Sequence, residues 1–309
     1  MAPEQASLEA TKLRAGIVSG FGAYLIWGLL TFYWKELAEF NAFELIGWRI
    51  VAATVILLVV IAVTRRGAPV WATFRSPGLL WRVALAALLL SNNWTLYVYS
   101  VVSEQIMESA LGYFIAPLLT SLIGVVALRE PLRRPQKAAL TLAAVAVVIL
   151  TVGYGRPPYI ALGLAFTWAI YGLLKKRVPL GPLESLTTET LVLAPVALVI
   201  VVIGAMQPTG VVATAGTDDW IFLSFAGIIT AVPLLLFARA ALRLPLTVLG
   251  PLQYLVPTIN FLLGWLVYDE PLDRVRIVGF LLVWIALFIT IGDSLRARRN
   301  AVELSQPGT

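Results

Sequence analysis

"GYFIAPLLTSLIGVVALREPL", residues 112 to 132, returns 140 residues later as "LQYLVPTINFLLGWLVYDEPL", residues 252 to 272. Without a gap the phrases agree at Pro117 and Pro257, Leu122 and Leu262, and Gly124 and Gly264. They then agree at a contiguous Glu-Pro-Leu, Glu130 to Leu132 against Glu270 to Leu272. A proline, a glycine and a triplet held in register are hard to obtain from apolar composition alone, so the chain reads as a duplication. A looser echo, "YLIWGLL" at 24–30 and "WAIYGLL" at 168–174, starts the two copies near residues 16 and 159.

The hydrophobic share is 60%, the charged share 13% and the mean hydropathy +0.88. Soluble domains average about 45–50% apolar and about 25% charged, so this is an all-α integral membrane protein. Cys and His are absent, which excludes disulfides, thiolate or imidazole chemistry and Cys/His metal sites. No cofactor and no metal are expected. The net charge of +6 comes from short basic clusters between apolar runs, a topology signal and not a nucleic-acid surface. The polar start "MAPEQASLEATKLRAG" leads into a permanent span without a cleavage site. No Gly-Lys pair exists to build a phosphate loop, so an ATP-driven motor in this chain is excluded.

Apolar runs of spanning length begin near residues 16, 42, 80, 109, 138, 159, 184, 219, 245 and 277. Ten transmembrane helices joined by short loops leave no room for a soluble domain. With the N-terminus inside, the inner loops collect most of the basic residues, among them Arg65, Arg66, Arg75, Arg82, Arg129, Arg133, Arg134, Lys175, Lys176, Arg177, Arg239 and Arg243, as short cytosolic loops do. The outer loops are acidic, with Glu36, Glu39, Glu104, Glu108, Asp218, Asp219, Asp269, Glu270 and Asp273.

An offset of 140 residues spans five crossings, so the second copy is upside down. "REPLRRPQK" and "DEPLDRVR" have opposite charge balance, as opposite faces require. Each Glu-Pro-Leu reads first as a helix stop, Pro being excluded from helix interiors, with direct substrate contact the alternative. The expected organisation is a cytosolic tail at 1–15, five-helix repeats of inverted topology at 16–154 and 155–293, and a cytosolic tail at 294–309. Inverted repeats are the plan of many secondary transporters, with the site near the midplane.

On these features the chain resembles the EamA-type branch of the drug/metabolite transporter superfamily. Within it, "ESALGYFIAP" (108–117), "NWTLY" (93–97), "YLIWG" (24–28), "ALGLAF" (161–166), "TET" (188–190), "TAVPLLLF" (230–237) and "LGPLQYLVPT" (249–258) resemble the RarD, or chloramphenicol-sensitivity, permeases. The resemblance covers almost the whole chain. It implies two EamA-like repeats, cytosolic termini and a permease of the cytoplasmic (inner) membrane. Where that pattern commonly has a His before the helix-two Arg, this chain has Trp48, which removes proton coupling through such a His.

Charges inside spans are costly unless they face a cavity or a partner. Arg49 lies about 10 Å inside helix two; it either clamps an anion bidentately or snorkels to the interface. Glu189 occupies the same place in the second copy, as the opposite polar pole of a central cavity or as part of a charge network. Glu44 and Glu184, also equivalent, read as helix-end caps. Asn93, Tyr113, Gln253 and Tyr254 either line the cavity or tie helices together. Trp27, Trp94 and Trp168 are candidate aromatic walls; Trp48, Trp71, Trp81 and Trp220 read as interface anchors. Pro117, Pro233 and Pro257 interrupt helix interiors as hinges or packed kinks.

Two functions follow. One is secondary transport of a small polar or amphipathic metabolite or drug by alternating access, the partners being that substrate, a coupling proton or counter-substrate, and lipid. The other is a membrane-embedded transferase acting on a lipid-linked substrate, for which the scattered acidic residues supply no Asp-x-x-Asp pair.

Overall fold

The computed structural model describes residues 2–128, 134–175, 177–241, 243–244, 249 and 251–305. These residues form helices and no strand: α1 (Ala2–Glu36), α2 (Ala42–Thr64), α3 (Gly67–Phe74), α4 (Pro77–Val102), α5 (Ile106–Leu128), α6 (Arg134–Tyr154), α7 (Tyr159–Lys175), α8 (Pro182–Ala205), α9 (Val211–Thr214), α10 (Thr217–Ala241), α11 (Leu255–Leu266) and α12 (Arg274–Ser305). Among the described residues seven helices are long and apolar enough to cross a membrane, within α1, α2, α4, α6, α8, α10 and α12. Shorter apolar helices cover Ile106–Thr120, Tyr159–Lys175 and Leu255–Leu266. The chain is a multi-pass membrane protein.

α1 runs back to Ala2 and α12 on to Ser305, so helix extends through the described part of both terminal segments. The two longest loops carry the short helices α3 and α9. Local chemistry sets several boundaries. Asn41 Oδ1 accepts the Phe43 N–H at 2.9 Å at the start of α2, and Arg65 ends that helix in the left-handed region at φ 56°. Pro77 and Pro182 occupy first-turn positions of α4 and α8, where a missing N–H costs nothing.

The prolines differ in kind. Pro117 and Pro233 lie inside α5 and α10, and so does Pro195 inside α8. Pro257 corrects the expectation of an interior break: it lies in the first turn of α11, where no intrahelical donor is lost. The interruption comes earlier, at the turn formed by Gln253 and Tyr254.

The main packing pairs are α1 with α10 and α11, α2 with α8 and α10, α4 with α7 and α8, α5 with α7 and α11, and α6 with α12. Lipid tails give helices no hydrophobic reason to associate, so close approach through small residues replaces it. A Cβ on Gly112 would lie 2.8 Å from the Ala161 carbonyl oxygen, and one on Gly227 2.5 Å from that of Ala52. Val55, Val63, Val148, Val152 and Phe288 turn outward as an apolar surface.

Contacts sort the loops onto two ends. At one end Lys35 pairs with Glu104 at 3.2 Å, Arg156 with Glu108 at 3.4 Å, and the Tyr154 hydroxyl donates to Asp273 at 2.9 Å. Glu44 accepts the Val211 N–H there at 3.0 Å. At the other end Arg66 meets Glu184 at 3.5 Å. The second Glu-Pro-Leu is more than a helix stop. α11 has already ended at Leu266, and Glu270, 5% exposed, accepts the N–H groups of Ile106 (2.5 Å) and Met107 (3.0 Å) that open α5. The first copy, Glu130 to Leu132, lies outside the described residues.

Candidate functional site

Arg49 sits where α1, α2, α4 and α10 converge. Its residue is 4% exposed, which rules out snorkelling. Nε donates to Thr230 Oγ1 at 3.2 Å, and the guanidinium carbon lies 4.1 Å from the ring centroid of Trp94 and 5.5 Å from that of Trp34. Nη1 is buried without a hydrogen-bond partner, and among the described residues no carboxylate lies within ion-pair distance of the group. A cation over a desolvated aromatic ring gains about 2 kcal/mol, whereas an unpaired buried charge costs several kcal/mol. The rings therefore leave the Arg49 charge largely uncompensated.

Hydroxyls and amides extend the polar interior from there. Thr31 Oγ1 donates to Asn260 Oδ1 at 3.1 Å, so the Tyr97 hydroxyl, 3.0 Å away, donates to Thr31. Tyr113 donates to Asn93 Oδ1 at 3.3 Å. Asn93 spends its amide hydrogens on α7, at the Leu164 carbonyl (3.0 Å) and the Thr167 hydroxyl (2.9 Å). It ties α4 to α7 and positions Tyr113. Among the described residues the buried side-chain polar atoms lacking a partner are Trp34 Nε1, Trp48 Nε1, Arg49 Nη1 and Asn260 Nδ2. All four are donors.

Glu189 is fully buried and lies in a second cluster. Its Oε1 is 2.6 Å from Lys175 Nζ and accepts from Ser185 at 2.8 Å; Oε2 accepts from the Tyr171 hydroxyl at 3.0 Å. Lys175 also donates to Ser185. Tyr171 follows Thr167 by one turn of α7, so the Asn93 network and the Glu189 cluster share a helix face.

The other candidates divide. Trp94 is 9% exposed and belongs to the Arg49 environment. Trp27 is half-buried and packs against Tyr24 and Phe237, at 5.5 and 5.7 Å between centroids. Tyr254 stacks on Phe114 at 6.5 Å, in the layer of α5, α11 and α12, with Gln253 beside it in the α11 turn. Trp168, expected as a wall, is 41% exposed and lies 5.9 Å from the Tyr171 ring, centroid to centroid. Trp71 and Trp81 are exposed near helix ends, while Trp48 and Trp220 pack edge to face at 5.2 Å. Sequence reading missed Trp34, Thr31, Thr230 and Lys175. The spacing of Trp34 is that of any buried aromatic, and Lys175 counted as a topology charge.

The sequence pattern of the EamA-like transporter family is matched twice, by residues 14–152 and by residues 158–292. Protein RarD of Streptomyces exfoliatus is 44% identical over 292 residues, covering 94% of this chain and 93% of that one. Protein RarD of Escherichia coli is 33% identical, covering 95% and 99%, and the Bacillus subtilis transporter YojE 37% identical, covering 94% and 98%. A crystal structure at 18% identity superposes with a TM-score of 0.57 over 90% of this chain and 97% of that one, a likeness of fold.

Proposed function

Because the chain belongs to the EamA-like transporter family and has RarD proteins as homologues along nearly its full length, we propose that it is a secondary transporter working by alternating access. The cargo is a small polar or amphipathic molecule held around Arg49. The observation that carries this reading is the buried Arg49 guanidinium, which has no carboxylate partner among the described residues: in an apolar bundle such a group is kept for a function.

The architecture that goes with it is ten spans in two inverted repeats, residues 16–154 and 155–293, in the cytoplasmic membrane with both termini cytosolic. Two features support it. The family pattern matches once per proposed repeat, and the packing pairs keep their identity when each span is exchanged for the one five places on. Under that exchange α1 with α10 becomes α7 with α4, α5 with α7 becomes α11 with α1, and α2 with α10 becomes α8 with α4. The pairs α2 with α8, α5 with α11 and α6 with α12 map onto themselves. The Glu44 contact with the segment after α8 and the Glu184 contact with the segment after α2 are related in the same way.

In this reading Arg49, Trp94 and Tyr113 meet the cargo, and Asn93 fixes Tyr113. Glu189 with Lys175 forms a second pole on which a coupling proton acts. The α11 turn at Gln253 and Tyr254 and the interior prolines Pro117 and Pro233 let half-helices reorient. Trp27 belongs to the aromatic wall beside α10. The test is uptake and counterflow in proteoliposomes with and without an imposed pH gradient. Arg49→Ala abolishes substrate-dependent flux, while Glu189→Gln retains exchange and loses accumulation against a gradient. Wild-type behaviour of both variants would remove the site from this part of the bundle.

A further inference from the structure

We propose that the Arg49 site takes a monovalent organic anion, a carboxylate in contact with aromatic rings, and that the protein exchanges such anions one for another. This rests on the transport reading above and names its cargo.

Charge balance carries the assignment. Arg49 is, among the described residues, the basic side chain that is buried, and it lacks a counter-charge. Among the described residues the buried carboxylates are Glu44, Glu184, Glu189 and Glu270, and each is engaged. Glu44 holds the Val211 N–H, Glu184 meets Arg66, Glu189 meets Lys175, Ser185 and Tyr171, and Glu270 holds two N–H groups of α5. An ammonium arriving with the cargo would find no uncommitted buried acid among the described residues. A zwitterion would leave its positive end unpaired and a cation would meet Arg49 repulsively, whereas an anion restores neutrality.

The unpartnered atoms agree. Arg49 Nη1, Trp34 Nε1 and Asn260 Nδ2 are donors, and Asn260 is linked through Thr31 to Tyr97, whose ring lies 6.1 Å from Tyr113. Donors with no complementary acceptor select an acceptor-rich group, and planar guanidinium suits planar carboxylate. A single uncompensated charge fixes the cargo as monovalent.

Exchange follows from the same imbalance. Carrying an unpaired guanidinium through a closed, water-excluding conformation is unfavourable, and an anion beside it removes that penalty. Reorientation is therefore fast with cargo bound and slow without it.

Four probes with one phenylpropyl skeleton test the assignment: 3-phenylpropionate, its amide, 3-phenylpropylamine and phenylalanine. With the purified full-length protein, 3-phenylpropionate raises the melting temperature and the other three do so weakly or not at all. Arg49→Gln lowers that affinity by about 30-fold or more, and the exposed control Glu104→Gln leaves it unchanged. Should Arg49→Gln fold poorly, Arg49→Lys serves instead, retaining the order of the probes at lower affinity.

In proteoliposomes, with protein-free vesicles as the blank, 3-phenylpropionate enters vesicles preloaded with it about tenfold faster than unloaded ones. Equal rates overturn exchange. Binding or flux of phenylalanine or the amine at the level of the carboxylate overturns the anion assignment and leaves transport standing, as does a carboxylate preference surviving in Arg49→Gln. No stabilisation by the carboxylate also overturns the assignment. Carboxylate-specific stabilisation without protein-dependent flux of any probe would instead remove the transport reading and keep the site.

Discussion

Lys175 Nζ lies 2.6 Å from Glu189 Oε1, the lysine side chain a quarter exposed and the glutamate fully enclosed. The pair sits between α7 and α8, so the charge that looked like a loop-end topology signal neutralises the carboxylate that looked like half of a central site. Ser185 and Tyr171 also donate to Glu189, so that both carboxylate oxygens are engaged.

Breaking such a pair from one side leaves an uncompensated buried charge, at a cost of about 3 kcal/mol. Lys175→Met therefore destabilises strongly, and adding Glu189→Gln recovers much of the loss. A double-mutant cycle on thermal stability in detergent should show favourable coupling above 1 kcal/mol, roughly the scale of contacting residues. Additive losses would mean that the two charges do not stabilise each other.

Close helix approach sets the second expectation. A Cβ on Gly227 would fall 2.5 Å from a backbone oxygen of α2, and one on Gly112 2.8 Å from a backbone oxygen of α7. Neither neighbour can move without shifting a helix, so Gly227→Val and Gly112→Val each lose about 1–3 kcal/mol. Gly78, with nothing within 4 Å of its Cβ position, tolerates Ala. Comparable melting temperatures for the Gly227 and Gly78 variants would contradict the packing.

Orientation is testable because the chain lacks Cys. Glu39→Cys should react with a membrane-impermeant maleimide from outside intact cells, and Arg75→Cys only after the inner face is opened. Both positions are exposed and lie at opposite ends of the bundle. Labelling of both from one side would mean that α2 does not cross the membrane and would end the ten-span arrangement.

Period and charge made the helices legible from sequence, because a spanning helix announces itself by length and its loops by Lys and Arg. Register gave the equivalence of Glu44 with Glu184, and the structure places both at loop segments of the opposite half. Partnering was not legible. Nothing in the spacing tells that Glu189 meets Lys175, that Asn93 spends its amide on α7, or that Trp34 turns its ring toward Arg49. Such contacts depend on which faces of separate helices meet, and a hydrophobic pattern that is apolar all round does not encode that. Pro257 illustrates the same gap: the residue was visible, but its harmless first-turn position depends on where α11 begins.

Glu270 and Asp273 close one end of the bundle with opposite responses to acid. Burial pushes the Glu270 carboxyl up, against the pull of the Met107 and Ile106 N–H groups and of Arg276 and Lys35. Burial would also raise Asp273, but the Arg276 backbone N–H, the Tyr154 hydroxyl and the Arg276 charge outweigh it and hold the group below its usual range. A raised folded value means that the Glu270 contribution to stability is present below its unfolded pKa, about 4.3, and is lost as pH rises through the folded value. The depressed Asp273 contributes above its unfolded pKa, about 3.9, and loses that as pH falls through the folded value. Glu270→Gln, neutral at every pH but able to accept only one of the two α5 N–H groups, should lose stability through the unmet donor. Its melting temperature relative to wild type should rise as the pH is raised through the carboxylate range, where burial disfavours the ionised wild-type group. Glu270→Ala leaves two N–H groups of α5 without acceptors and should lose about 1–3 kcal/mol at any pH. Asp273→Asn should instead fall below wild type at pH 7 and converge with it in acid. A Glu270→Gln melting temperature whose offset from wild type is independent of pH, or moves in favour of the variant on acidification, would show that burial does not govern this carboxylate.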